Sequence, residues 1–353
     1  MDKMVNVEFW KDKKVFVTGH TGFKGSWLVQ ILKNFGAEVC GYSLEPNTTP
    51  NLFEIAKIGE GINHNIGDVR DFENMFKVFN DFQPDIVLHL AAQPIVLTSY
   101  QEPKYTYETN VMGTVNILEC IRLTNCVKSF VNVTTDKVYK NMDDAVAFDE
   151  SMPLDGYDPY SNSKSCSELV THSYRSSFFG DRAVSISTVR AGNVIGGGDF
   201  ADNRIIPDSV RAYLSNTTLK LRNPHSIRPF QHVLEALFAY LMIAEKQYND
   251  RSYESEYNVG PDDCDCIETG KLVDLFCSNL SGSLDYSYTQ INGPHEDNFL
   301  KLNNKKIKDI FGWKPRWNVA DAIKQTVKWV EAYKNNLDMV QELNDEINEF
   351  LKG

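Results

Sequence analysis

The segment KVFVTGHTGFKG, residues 14–25, constrains this chain more than any other. A short β-branched run ends in Gly19, and glycines recur at Gly22 and Gly25, giving the spacing G-x-x-G-x-x-G. Apolar residues follow at Trp27, Leu28, Ile31, Leu32 and Phe35, which is helical spacing, until Gly36 ends the helix. Glu38 to Tyr42 then reads as a second strand. A strand, a glycine turn, a helix and a strand within about 30 residues make a βαβ unit. The first glycine of such a turn permits the tight bend, the second lets backbone approach a pyrophosphate, and the third lets helix and strand pack closely. The helix start adds free N–H groups and a favourable dipole. Gly19, Gly22, Phe23, Lys24 and Gly25 are therefore expected to hold a dinucleotide.

The alternation continues along the chain. IVLHLAA (86–92) and FVNVTT (130–135) are continuous apolar runs of the kind found in strands buried on both faces. Residues 104–124 and 160–178 have helical patterns, and VSISTVRAGNV (184–194) reads as a further strand. The fold class expected is α/β, a doubly wound parallel sheet with right-handed crossovers. After Gly196-Gly197-Gly198 the character changes to short strands (219–221, 257–259, 286–289) mixed with helices such as 233–247 and 267–278. The expectation is a dinucleotide-binding domain over 1–195 and a smaller α+β substrate domain over 196–353, with some exchange of chain between them. The charged stretch 320–351 reads as helical and mostly a solvated face.

Charge narrows the functional classes. With 36 Lys and Arg against 48 Asp and Glu, the net charge is −12, which argues against a nucleic-acid or anionic-membrane surface. An anionic substrate must then be met by local basic residues. Seven cysteines without paired C-x-x-C spacing suit a reducing compartment, and no metal site is expected. No apolar run reaches membrane-spanning length and the N-terminus lacks an apolar signal region, so the expected location is the cytoplasm.

Two further clusters carry chemistry. Tyr160 and Lys164 form Y-x-x-x-K, and on a helix positions i and i+4 share a face. A nearby ammonium is expected to lower the phenol's pKa and make it a usable base. Thr135, Asp136 and Lys137 end the preceding strand, at the carboxyl edge where such sheets place their sites. The second strand leaves the cofactor open between NAD and NADP. It ends Gly41-Tyr42-Ser43-Leu44, with Glu45 one step late for the ribose 2′-hydroxyl and no arginine for a 2′-phosphate. Asp68, after the third strand, is a candidate adenine contact.

The stretches FVTGHTGFKGSWL (16–28), LHLAAQP (88–94), VNVTTDKVY (131–139), GYDPYSNSK (156–164), VRAGNVIGGGDF (189–200) and RNPHSIRPFQHVLE (222–235) resemble the sugar-nucleotide 4,6-dehydratases, members of the extended short-chain dehydrogenase class. Thr135-Asp136-Lys137 resembles the branch that takes CDP-glucose, whereas the dTDP-glucose branch carries Thr-Asp-Glu. The resemblance implies NAD, tightly held and recycled, with further contacts at Val69, Ala91 and Ala92. It implies Tyr160 as base at the sugar 4-hydroxyl, Asp136 as acid for the departing 6-hydroxyl, and Thr135 on the 4-oxygen. Lys164 would hold the nicotinamide ribose, and Lys137 would remove the C5 proton or position the substrate. Substrate contacts fall on Gln93, Asn193, Arg204, Arg228, Asn258 and His295, with His232 weaker. A homodimer or dimer of dimers is implied, and a role in deoxysugar synthesis for surface polysaccharide. Two other readings stand beside it: a nucleotide-sugar epimerase, against which Asp136 argues, and a non-catalytic NAD-binding regulator.

Overall fold

The computed structural model describes residues 4–141, 146–288 and 299–353. Its centre is a seven-stranded sheet: β1 (Lys14–Thr18), β2 (Glu38–Ser43), β3 (Asn63–Ile66), β4 (Ile86–His89), β5 (Ser129–Thr135), β6 (Ser185–Ala191) and β7 (Glu256–Val259). The order is β7-β6-β5-β4-β1-β2-β3 and every pairing is parallel. β5 and β6 are buried at all seven positions each, as strands covered on both faces must be. The doubly wound architecture expected from the alternating pattern is the one observed. The order turns back between β1 and β4, so ligands should meet the sheet beyond the carboxyl ends of those strands.

Helices cover both faces: α1 (Phe23–Asn34), α2 (Phe72–Phe82), α3 (Gly113–Leu123), α4 (Pro159–Phe178), α5 (Val233–Asn249), α6 (Val319–Lys334) and α7 (Met339–Lys352). α4 starts sharply because Asp158 caps it, accepting from Ser161 N at 3.0 Å and Ser161 Oγ at 2.5 Å, and Pro159 occupies the first turn. That start fixes where Tyr160 and Lys164 fall. The predicted helix over 104–124 is broken in three: Pro103–Tyr107, a wider π-helical turn at Glu108–Met112, and α3. The strand read over 86–92 stops at His89, and residues 90–92 leave the sheet as a loop toward the phosphate turn.

Two sequence-based expectations are corrected. The strand at 257–259 does not belong to a separate substrate domain; it is the edge strand β7 of the main sheet, paired with β6. α5, also expected in the second domain, packs on that sheet as well. Ser129 Oγ donates to Ala244 O at 2.9 Å, and Gln247 Nε2 donates to Phe130 O at 2.9 Å. Local pattern could not reveal this, because partner choice along an edge depends on where the chain returns in space. The second correction concerns the carboxyl-terminal helices. α6 and α7 are charged on one side only: the stripe Ala322, Ile323, Thr326 and Val330 is buried with α6 packed on the helix Thr269–Asn279 and on α7, and Leu343, Ile347 and Phe350 are buried with α7 packed on α1 and Phe238 of α5. The smaller layer consists of two-stranded pairs, 219–221 with 286–288 and 227–229 with 266–268.

Candidate active site

The phosphate turn behaves as its spacing predicts, for reasons the coordinates separate. Gly19 sits at φ +76°, and a Cβ there would fall 2.8 Å from Ala91 N. A Cβ on Gly25 would lie 2.1 Å from Gly19 O, so this glycine is required by backbone contact. Gly22 differs: its backbone is ordinary (φ −78°), and a Cβ would meet only Gly19 O at 3.4 Å. The protein itself could tolerate alanine at 22. The open space at the start of α1 fits a pyrophosphate that must approach backbone closely. Ala91 stands against Gly19, its N–H bound to Thr18 Oγ1 at 3.2 Å. Val69 is buried, and Gly113 could not carry a Cβ without striking it. The Asp68 carboxylate accepts four hydrogen bonds from Arg70, three from the guanidinium and one from the backbone N–H, at 2.6–3.0 Å, beyond the end of β3. Partial burial pushes its pKa up, but these bonds outweigh that and hold it below the usual carboxylate range. Glu45 is exposed just past β2.

At the carboxyl end of β5 the Thr135 hydroxyl donates to Asp136 Oδ1 at 3.0 Å, and it also bonds the Tyr160 phenol. Acid, hydroxyl and phenol thus form one hydrogen-bonded line. Asp136 is 3% exposed, and Gly192 gives it room, since a Cβ there would lie 2.9 Å from Oδ2. Lys137 begins the next turn and lines a small cleft with Tyr139, Asn141, Tyr157, Asp158, Ser161 and Leu300. Lys164 is buried and donates to Val133 O at 2.9 Å.

The electrostatics depart from the sequence-based expectation at Tyr160. Its pKa is pushed up to about 12, chiefly by burial, while Thr135 and Arg204 pull it down and Asp136 and Asp158 raise it further. Desolvation dominates at the phenol, and Lys164 is itself drawn down to about 8 by burial. Lys24 is drawn down to about 7 by burial and by Arg204 and Lys164, with Asp136 and Asp199 opposing. Lys24, Lys164 and Arg204 therefore make a cationic cluster within a strongly acidic chain. Tyr240 meets it from α5, its hydroxyl accepting from Lys24 Nζ at 3.4 Å, and Asp199 meets it through a 3.2 Å bond with Arg204. Neither residue was visible in the sequence, since both lie on elements whose place depends on the return of the chain.

The substrate candidates divide. Arg204 faces the site, as its coupling to Tyr160 and Lys24 requires. Arg228 is buried on the strand 227–229 and donates to Ile227 O, and Asn193 is half-buried in the loop after β6. Asn258 is 0% exposed, accepts from the Tyr139 hydroxyl at 2.7 Å and donates to Phe148 O at 2.8 Å. Its amide is consumed inside the protein. Gln93 donates to Thr106 Oγ1 at 2.9 Å and accepts from Ile95 N at 2.7 Å, bonds that shape the loop after β4. His232 is wholly buried beside Glu346, 2.9 Å away. His295 lies outside the described residues. Among the described residues no helix is long and apolar enough to cross a membrane.

The sequence profile of the family described as GDP-mannose 4,6 dehydratase matches residues 16–326. The chain is 44% identical to the CDP-glucose 4,6-dehydratase of Salmonella typhimurium strain LT2, over 99% of each chain. It is 26% identical to a dTDP-glucose 4,6-dehydratase of Xanthomonas campestris, over 93% of this chain and 95% of that one. Among solved structures, the dTDP-glucose 4,6-dehydratase of Bacillus anthracis, in complex with NAD, superposes with a TM-score of 0.76 at 22% identity, covering 93% of this chain and 99% of the other. A UDP-glucose 4-epimerase from Stenotrophomonas maltophila with bound NAD gives 0.79 at 20% identity, covering 92% and 99%. At such identities the structural likeness speaks for the fold.

Proposed function

The chain belongs to the GDP-mannose 4,6-dehydratase family, and on that premise we propose that it converts CDP-glucose to CDP-4-keto-6-deoxyglucose and water. The observation that carries this reading is the hydrogen-bonded line Tyr160–Thr135–Asp136, read beside the full-length likeness to a CDP-glucose enzyme. An epimerase at C4 needs only the phenol. A carboxyl group beyond the threonine supplies a second proton carrier, which loss of the 6-hydroxyl requires.

NAD is the cofactor that fits, held by the turn Gly19–Gly25 with Phe23 and Lys24, by Asp68 and Val69 toward the adenine, by Ala91 and Ala92, and by Tyr160 and Lys164 toward the nicotinamide ribose. When bound it supplies a hydride acceptor and donor, and a cationic ring whose charge favours a phenolate. Tyr160 takes the proton of the sugar 4-hydroxyl, and Thr135 donates to the 4-oxygen as it becomes a ketone. The ketone acidifies the C5 proton, for which Lys137 is the candidate base. Asp136 protonates the departing 6-hydroxyl. Arg204 and Arg228, with Asn193, meet the diphosphate, for which a planar guanidinium is suited by bidentate bonding. The chain acts as a homodimer or a dimer of dimers, in keeping with Met112 and Leu169, large apolar side chains left 48% and 56% exposed on the helical layer that carries α4. Its place would be the cytoplasm, as an enzyme supplying deoxysugars for surface polysaccharide.

Incubation with CDP-, dTDP-, UDP- and GDP-glucose, read by mass spectrometry, tests the proposal. Loss of one water from CDP-glucose without added NAD⁺ is expected. A C4 epimer of unchanged mass would install the epimerase reading, and bound NAD without turnover of any sugar nucleotide would leave a non-catalytic regulator.

A further inference from the structure

Glu168 lies one helical turn beyond Lys164 on the inward face of α4 and is 2% exposed. Four hydrogen bonds converge on its carboxylate. Thr134 Oγ1 (2.5 Å) and Arg190 Nε (3.0 Å) donate to Oε1, while Thr188 Oγ1 (2.6 Å) and Arg190 Nη2 (2.9 Å) donate to Oε2. Arg190, equally buried, uses its other amino group to donate to the Tyr139 hydroxyl at 2.7 Å. A buried ion pair adds little net stability over apolar side chains of the same size, because desolvation offsets the attraction. The fold alone therefore gives no reason for charges here.

The neighbours do give one. Thr134 immediately precedes Thr135 and Asp136, Tyr139 closes the turn that carries Lys137, and Lys164 shares the helix. We propose that the Glu168–Arg190 pair is a positioning unit for the reaction, pinning the end of β5 to α4 and keeping the Lys164 ammonium charged where it must meet cofactor and phenol. This rests on reading Tyr160 and Lys164 as the pair that meets the nicotinamide ribose. Burial draws Lys164 down to about 8, and the Glu168 charge opposes that fall. The other titratable groups around Lys164 are Lys24 from α1, drawn down to about 7, and His89 from β4, held neutral with a pKa lowered to about 3. Asp136 and Tyr160 stand at the same site, coupled to Lys24 and to Arg204 respectively. Lys164 loses its proton as pH rises through about 8, and with it the charge that the cofactor site uses. Removing Glu168 takes away the opposing anion and leaves Arg190 unpaired, and both effects move that loss to lower pH.

The test measures NAD affinity by calorimetry from pH 6 to pH 9.5 on protein first stripped of its bound NAD, alongside kcat of the reloaded enzyme. In the unsubstituted protein, affinity should fall above about pH 8. In Glu168→Gln the fall should begin about one unit lower, roughly fivefold weaker binding at pH 8, with affinity near pH 6 within about twofold. Because an unpaired buried Arg190 could prevent folding, Glu168→Gln/Arg190→Met removes both charges at similar volume and should show the same direction of shift. In a Lys164→Met background, Glu168→Gln should no longer move the profile. An unchanged alkaline limb in the folded single or double variant, with only the melting temperature lowered, would overturn the proposal and leave the pair a structural brace. Failure of the unsubstituted chain to bind NAD at any pH would instead overturn the cofactor reading, and the proposal with it.

Discussion

At the scale of single residues, the three glycines of the phosphate turn make separable predictions. Gly25→Ala drives a Cβ to 2.1 Å from Gly19 O and should unfold the turn, lowering both stability and NAD binding. Gly22→Ala meets only an ordinary contact, so its melting curve should stay within about 1 kcal/mol of the parent while NAD affinity falls at least about a hundredfold. Equal NAD affinity in the Gly22 variant would show that the space above α1 is not used by a pyrophosphate. Tyr160→Phe removes one oxygen, which bonds Thr135, and it should cut kcat by several orders of magnitude without unfolding. Activity within about tenfold of the parent, roughly 1.4 kcal/mol of barrier, would rule Tyr160 out as the base. Lys137 is tested by solvent exchange in D₂O. As the C5 base, it predicts that Lys137→Met forms the 4-ketone and stalls, with little deuterium at C5. Normal deuterium uptake at saturating substrate would reduce Lys137 to a substrate contact.

Among the elements, the link between α5 and the loop before α6 depends on a titrating group. Glu235, 1% exposed, accepts from Arg316 N at 2.8 Å and Trp317 N at 2.7 Å through Oε1. Burial pushes its pKa up to about 7, against the pull of those two N–H groups and the Arg316 charge. The folded chain thus keeps this proton up to about pH 7, whereas the unfolded chain releases it near 4.5. The resulting stabilisation is complete below the unfolded value and is lost as pH rises through the folded one. Glu235→Gln keeps an oxygen for both N–H groups and carries no charge. It should raise stability by about 1–2 kcal/mol at pH 8 and have little effect at pH 5. A variant less stable than the parent at pH 8 would mean that the carboxylate form is the one the loop needs. α7 supplies a simpler case. Phe350 is fully buried against Phe238 and Trp317, so Phe350→Ala should cost about 3–5 kcal/mol in chemical denaturation.

For the whole molecule, the exposed Leu169 on α4 gives the assembly a direct test: Leu169→Glu should shift a dimer toward monomer in analytical ultracentrifugation, and an unchanged mass would place the interface elsewhere. The sequence alone determined the βαβ unit at 14–42, the parallel sheet implied by alternating strands and helices, and the residues of the two candidate catalytic motifs. Each of these is local: glycine spacing, 3.6-residue periodicity and the i, i+4 relation of Tyr160 to Lys164 are set by neighbours along the chain. Glu168 was legible by the same rule, four residues past Lys164, yet its meaning was not, because Arg190 reaches it from β6. Only the tertiary structure decided that 256–259 closes the main sheet, that α6 and α7 bury their apolar stripes, and that Asn258 and Gln93 spend their amides inside the protein. It also showed burial outweighing the lowering expected at Tyr160, whose phenol is pushed up to about 12. Hydrogen-bond saturation and desolvation depend on atoms brought together from distant parts of the chain, and spacing along a sequence carries no measure of either.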